Sequence, residues 1–217
     1  MAHLPSLKPI FHGPQHNPII YLTFDDGPDP CFTSDLLDLL SHYEIKSSFF
    51  LLGLATEQHP DLTRRIADAG HSLGCHGFTH IDPWRCNQER NRDNIERGWR
   101  SVAKTSGQFI QLFRPPYGHW RYSMAAQARR LNMTTILWSL SAHDWGESCS
   151  VHSISKRLNK VRNGDIILMH DGARGINKVN ATLRALPAFI ESCKQRGYRF
   201  SPLQPLVNPI LTYQQCS

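Results

Sequence analysis

Two adjacent carboxylates, Asp25 and Asp26, follow the apolar run Ile19 to Phe24, and Gly27 and Pro28 then turn the chain sharply. Neighbouring carboxylates at such a turn point in different directions, so one can hold a cation while the other stays free as a base. His76 and His80 are separated by three residues, and a helical or tightly turned segment puts both imidazoles on one side. Two imidazoles and one carboxylate make a three-ligand site with an open position for water. That fits catalytic zinc, and the same facial arrangement holds other divalent ions. In the stiff turn R-P-P-Y-G, Arg114 to Gly118, two prolines fix the backbone, so Arg114 and the N–H of Tyr117 can be held rigidly. Asp144, His170 and Asp171 follow later apolar runs. Cys75 lies beside His76, but an adjacent strand residue points to the opposite face and is not expected to be a ligand. His42, His59, His71 and His152 read as surface or packing residues.

The elements that must gather these groups alternate in type. Strands are expected at Ile19–Phe24, Ser48–Leu52, His71–Cys75, Gln111–Arg114, Thr134–Leu140, Asp165–Met169 and Tyr198–Ser201. Between them lie helical patterns at about Thr33–Tyr43, Pro60–Ala69, Gln88–Thr105, Ser123–Leu131, Val151–Val161 and Asn177–Arg196. Thr33 or Ser34 is a plausible N-cap for the first, and Gly70 and Gly197 end the second and last. Continuous apolar strands alternating with helices mean a parallel sheet covered by helices. An open sheet and a closed barrel are both possible. The polar residues favour a barrel, because they follow one strand after another and a barrel gathers all strand C-termini on one rim.

A chain of 217 residues with 40% hydrophobic content is one globular domain. It is divided here into an irregular segment 1–18, a domain 19–203 and a tail 204–217. The net charge of +6 comes without a basic run, and acidic residues interleave the cluster Arg85 to Arg100, so nucleic acid is not an expected partner. The six cysteines form no C-x-x-C pair and read as free buried thiols in a reducing compartment. No stretch is long enough to span a bilayer. The N-terminus lacks the apolar core of a leader, so the cytoplasm is the expected location, or the exterior if a leader has been removed. Nothing in the sequence gives the oligomeric state.

Taken in order, T-F-D-D-G-P, H-x-x-x-H, R-P-P-Y-G, D-W and L-M-H-D resemble the polysaccharide deacetylases of carbohydrate esterase family 4, over roughly Ile19 to Pro202. The short length and the opening I-I-Y-L-T-F-D-D-G-P-D-P-C-F-T resemble the chitooligosaccharide deacetylases of nodulation within that family. The resemblance implies an α/β fold, a deformed (β/α)7-type barrel, and a hydrolase that releases acetate from N-acetylglucosamine-containing glycans of chitooligosaccharide or peptidoglycan type. It implies zinc, or cobalt or another divalent ion, on Asp26, His76 and His80. Asp25 would be the base, oriented by Arg114, and His170 the acid, oriented by Asp144. Trp145 and Leu168 would wall the acetyl pocket, and Tyr117 would offer its N–H to the oxyanion.

Two departures from the family pattern stand out. Gly77 replaces the usual Ser or Thr after the first ligand histidine, which predicts a looser ligand loop. Ser141 replaces an Asp often found before D-W, which predicts altered substrate contacts. An O-acetyl ester hydrolase of acetylxylan type and a non-catalytic glycan-binding module are the alternatives. The segment Ala173 to Val179, with Gly172, Arg174 and Gly175, is a candidate substrate loop.

Overall fold

The computed structural model of the protein describes residues 5–207. Its strands are β1 (Ile19–Asp25), β2 (Ser48–Leu51), β3 (Ser72–Cys75), β4 (Leu112–Phe113), β5 (Thr134–Thr135), β6 (Leu140–Ser141), β7 (Ile166–His170) and β8 (Arg199–Phe200). They form one sheet in the order β5-β4-β3-β2-β1-β7-β6, with β8 beside β1, and every pairing is parallel. Parallel neighbours need crossover connections, and helices supply them: α1 (Thr33–His42), α2 (Gly53–Gln58), α3 (Pro60–Asp68), α4 (Gln88–Ser106), α5 (Tyr122–Arg130), α6 (Val151–Leu158) and α7 (Val179–Gln195). A single turn, α8 (Gln204–Val207), follows the last strand.

The stretch 134–141 closes the sheet. One strand is expected there from sequence, but the structure has two, the first paired to β4 and the second to β7. The same piece of chain therefore meets both edges of the sheet and curls it into a deformed barrel. The break leaves the carbonyls of Ile136 and Leu137 needing donors, because a buried backbone carbonyl must be paired. Arg114 supplies them, through Nε and Nη2. Ile10 reinforces the seam by bridging Ile136, its N–H donating to the Thr135 carbonyl.

Strand parity decides what faces the barrel interior. Ile20, Leu22 and Phe24 of β1 pack outward against the helices, whereas Tyr21 packs inward with Phe50, Leu112, Ile136, Ile166 and Leu203. The inward parity of Tyr21 carries Thr23 and Asp25 with it. Ile166 likewise carries Leu168 and His170, and Leu112 carries Arg114. Polar groups thus crown a small apolar interior. Leu203 closes its base, donating its N–H to Ser48 Oγ while Gln204 N donates to Ser72 Oγ. The segment after Pro202, expected to be irregular, begins as this plug and the turn of α8. Residues 208–217, including Cys216, lie outside the described residues.

Two further differences have local causes. The apolar stretch after Ser47 holds both β2 and the start of the unanticipated α2. Thr33 does not cap α1. It sits inside the helix, and its hydroxyl donates to Asp171 Oδ2 at 2.6 Å while accepting from Asp29 N. Among the described residues, no helix is long and apolar enough to cross a membrane, and Cys31, Cys75, Cys86, Cys149 and Cys193 are free. Contrary to expectation, only Cys75 and Cys193 of these are buried, while Cys31 is exposed and Cys86 and Cys149 are partly exposed.

Candidate active site

Asp26, His76 and His80 converge just beyond β1 and β3, with ligand-type atoms all within 4.8 Å of one another. His76 Nδ1 lies 2.8 Å from the Arg114 carbonyl. A carbonyl only accepts, so Nδ1 carries the proton and the Nε2 lone pair is left for the cluster. His76 Nε2 and His80 Nε2 stand 3.6 and 3.4 Å from Asp26 Oδ1. Those separations are too long for good hydrogen bonds. They match the roughly 3.3–3.6 Å expected between two ligands bound tetrahedrally at about 2.0–2.2 Å from one ion. Asp26 Oδ1 is buried and has no hydrogen-bond partner, as is His80 Nδ1. Burial lowers His76 to about 3, with the His80 charge acting in the same direction, and burial also lowers His80 against the pull of Asp26. Both shifts favour the neutral imidazole, the form that ligates a metal. The residues fit a divalent cation. Cys75 does not join them: its thiol points into the outer core, donates to the Ile95 carbonyl, and is pushed by burial up to about 12.

Asp25 lies beside the cluster and is held from below. Arg114 Nη1 donates to Asp25 Oδ1 at 2.7 Å and to Thr23 Oγ1 at 2.8 Å. With the two remaining guanidinium nitrogens, Nε and Nη2, donating to barrel carbonyls, Arg114 is completely buried. Its position is fixed at four points. Asp25 Oδ2 is left on the His76 side, 3.8 Å from Nε2. Burial raises the Asp25 carboxyl, and the Arg114 charge opposes that rise.

Across β1, register pairs Asp25 with His170 of β7. Asp144 Oδ1 sits 2.8 Å from His170 Nδ1, and Oδ2 accepts from His170 N and from the Thr182 hydroxyl. Nδ1 is thus committed as a donor, leaving Nε2 as the remaining ring nitrogen. Burial alone would lower His170. The hydrogen bond and charge of Asp144, helped by Asp26 and Asp25, outweigh it and push the imidazole up to about 9. His170 is therefore a proton donor at neutral pH. Trp145 meets it edge-on at 5.5 Å.

Backbone strain collects here. Asp26, Tyr117 and His143 all have positive φ, at 76°, 60° and 54°. Such conformations cost energy at non-glycine residues and persist where surroundings enforce them. Gly172 and Gly27 show the enforcement: a Cβ on Gly172 would stand 2.6 Å from the Asp26 carbonyl carbon, and one on Gly27 would stand 2.0 Å from Asp171 Oδ2.

The ligand loop is not loose, contrary to the expectation from Gly77. Gly77 has φ 87°, and a Cβ there would lie 2.5 Å from Asn94 Nδ2. Asn94 of α4 instead grips the loop: Oδ1 accepts from Thr79 N and Oγ1, and Nδ2 donates to the Thr79 carbonyl. Close approach is possible because α4 carries Gly98, where a Cβ would stand 2.3 Å from the Gly77 carbonyl carbon. Gly98→Ala gains about 1 kcal/mol of helix propensity, but it meets backbone that cannot step aside. The expected net result is a loss of roughly 1–3 kcal/mol, read as a lower urea midpoint. Ser141, the other departure, accepts from His143 N.

These groups line a cavity of about 410 Å³ whose walls include Asp25, Asp26, His76, His80, His170 and Tyr117. Trp145 and Leu168 also line it, and Arg114 and Asp144 support it from behind. Tyr117 packs on His80 with ring centres 4.3 Å apart. The loop flagged as substrate-facing supplies Arg174, Gly175, Ile176 and Asn177. Sequence reasoning missed the part played by four residues. Trp138 lines the cavity from the interrupted strand. Asn94 pins the ligand loop. Asn177 Nδ2 donates to Asp26 Oδ2 at 2.9 Å. Asp171, raised by burial to about 7, fills the space under Gly27 with Thr33.

Comparison with known proteins agrees with this geometry. A sequence model described as polysaccharide deacetylase matches residues 12–136. A chitooligosaccharide deacetylase of Bradyrhizobium sp. (strain ANU 289) is 31% identical over 196 residues, covering 86% of this chain and 90% of its own. A crystallised peptidoglycan N-acetylglucosamine deacetylase, in complex with an N-hydroxy benzamide, superimposes with TM-score 0.84 at 31% identity and covers 91% of each chain. A family 4 pseudoenzyme from Bacillus anthracis also superimposes with TM-score 0.84, at 25% identity, covering 94% of this chain and 70% of its own. The scaffold is therefore shared by active and inactive proteins, and the residues of the site must carry the argument for activity.

Proposed function

The chain belongs to the polysaccharide deacetylase family, and from that premise we propose that it is a metal-dependent hydrolase removing N-acetyl groups from N-acetylglucosamine-containing glycans, with zinc as its ion. The observation that carries the proposal is that Asp25 and His170, register partners on adjacent strands, flank the cluster of Asp26, His76 and His80 within one cavity.

Asp26, His76 and His80 would hold the cation. When bound, it supplies Lewis acidity to the acetyl carbonyl and makes a neighbouring water more acidic. Asp25 accepts the proton of the attacking water on Oδ2, since Arg114 occupies Oδ1. Its burial-raised basicity suits that task. Tyr117, which lines the cavity, would offer its N–H to the developing oxyanion, a contact worth about 3–4 kcal/mol in comparable sites. His170 gives its Nε2 proton to the departing nitrogen as the carbon–nitrogen bond breaks, because an amide nitrogen leaves poorly as an anion. The products are acetate and a free amino sugar. A dedicated acid held by Asp144 meets the requirement of an amide nitrogen leaving group for a proton.

Acetate release from a panel of chitooligosaccharides, peptidoglycan fragments and acetylxylan, with and without a chelator, tests the reading. Turnover of the N-acetyl substrates that stops on chelation and returns with zinc is expected. Release from acetylxylan alone, or from nothing, overturns it.

A further inference from the structure

We propose that Asn177 is a positioning residue for the cation site: it makes Asp26 a one-oxygen ligand and ties the metal half of the site to the acid half. This rests on the reading that Asp26 binds a divalent ion.

The Asn177 amide nitrogen has two hydrogens and uses both. One goes to Asp26 Oδ2 and the other to the Gly172 carbonyl, each at 2.9 Å. Those two acceptors fix which end of the amide faces Asp26, because an amide oxygen there would confront two other oxygens. With Oδ2 taken, the carboxylate presents Oδ1, the unpartnered oxygen that stands 3.4–3.6 Å from the two histidine Nε2 atoms. A free carboxylate at positive φ could turn about its χ angles or offer both oxygens. Asn177 removes that freedom before any ion arrives. A supporting hydrogen bond of this kind typically contributes 10- to 100-fold in metal affinity.

The same short loop also holds the opposite wall. Asn177 bridges Trp145, Gly146 N donates to the Ile176 carbonyl, and Lys178 N donates to the Asp144 carbonyl. Asp144 is the residue that orients His170. One segment thereby fixes the spacing between the ligand carboxylate and the general acid, two groups far apart in sequence.

Three variants separate positioning from packing. Asn177→Ala deletes the amide. Asn177→Asp keeps its shape but places an acceptor against Asp26 Oδ2. Asn180→Ala, at an exposed position at the start of α7, serves as the control. Each is stripped of metal and titrated with cobalt, followed by its visible absorption, and with zinc against a competing chelator. Thermal unfolding of the metal-free protein is recorded alongside. Both Asn177 variants should bind zinc about 10- to 100-fold more weakly than wild type, with an altered cobalt spectrum. Asn180→Ala should match wild type. If Asn177→Asp binds zinc as tightly as wild type, the side chain only fills space and the proposal falls. It also falls if affinity drops only in step with the unfolding temperature of the metal-free protein. A wild-type protein that binds neither ion fails the metal reading itself, a result visible before any variant is compared.

Discussion

Asp25→Asn should slow acetate release about 100- to 10,000-fold, the range that a positioned general base contributes, while leaving zinc affinity at the wild-type value. The asymmetry follows from Arg114. Its Nη1 donates to Asp25 Oδ1 and is itself fixed by Thr23 and two barrel carbonyls. An asparagine must keep its oxygen toward that donor, so its NH2 group falls where Oδ2 stood. A donor then occupies the place where the attacking water needs an acceptor. Arg114 loses its countercharge in a fully buried setting, so some stability is lost as well. Unfolding midpoints recorded with the kinetics separate the two effects. Near-normal turnover in a folded, metal-loaded Asp25→Asn protein would remove Asp25 from the role of base.

His80→Ala should abolish both metal binding and activity without unfolding the protein. One of three protein ligands disappears, so affinity should fall by more than the roughly 100-fold attributed to a supporting hydrogen bond. His80 is the better target than His76. The His76 ring is nearly inaccessible and hydrogen-bonded to the barrel through Arg114 O, whereas His80 sits in the loop against the exposed Tyr117 ring. Zinc titration by competition and acetate release read the result together. A His80→Ala protein that keeps wild-type affinity would move the metal site elsewhere.

The fold, and the recurrence after its strands of the polar residues that line the cavity, are legible in the sequence because both depend on local pattern. Continuous apolar strands announced a parallel sheet, and the recurrence of polar groups after them announced the rim. Parity then explains the site with one rule: Tyr21, Thr23 and Asp25 share a face, as do Ile166, Leu168 and His170. What stayed hidden are contacts between distant segments. Nothing in the linear pattern says that Asn177 meets Asp26, that Asn94 replaces a missing side chain at Gly77, or that Thr33 turns from capping toward Asp171. The interruption of the strand after Thr135 was equally unreadable. It depends on a guanidinium arriving from β4 to pair the carbonyls that the strand leaves open.

Local reading also misjudged Gly77. A glycine in place of a hydroxyl residue looks like lost restraint. In the folded chain it is a close-approach position, complementary to Gly98, that lets α4 hold the ligand loop directly.

Titration of metal-free wild-type protein with zinc, with acetate release from a chitooligosaccharide followed at each addition, probes the shared cation most directly. Activity should be absent at the start, rise in proportion to added zinc, and level off at one ion per chain. Full activity in the stripped protein, or an ion that binds without restoring turnover, would contradict the assignment of Asp26, His76 and His80 as the centre on which Asp25 and His170 act.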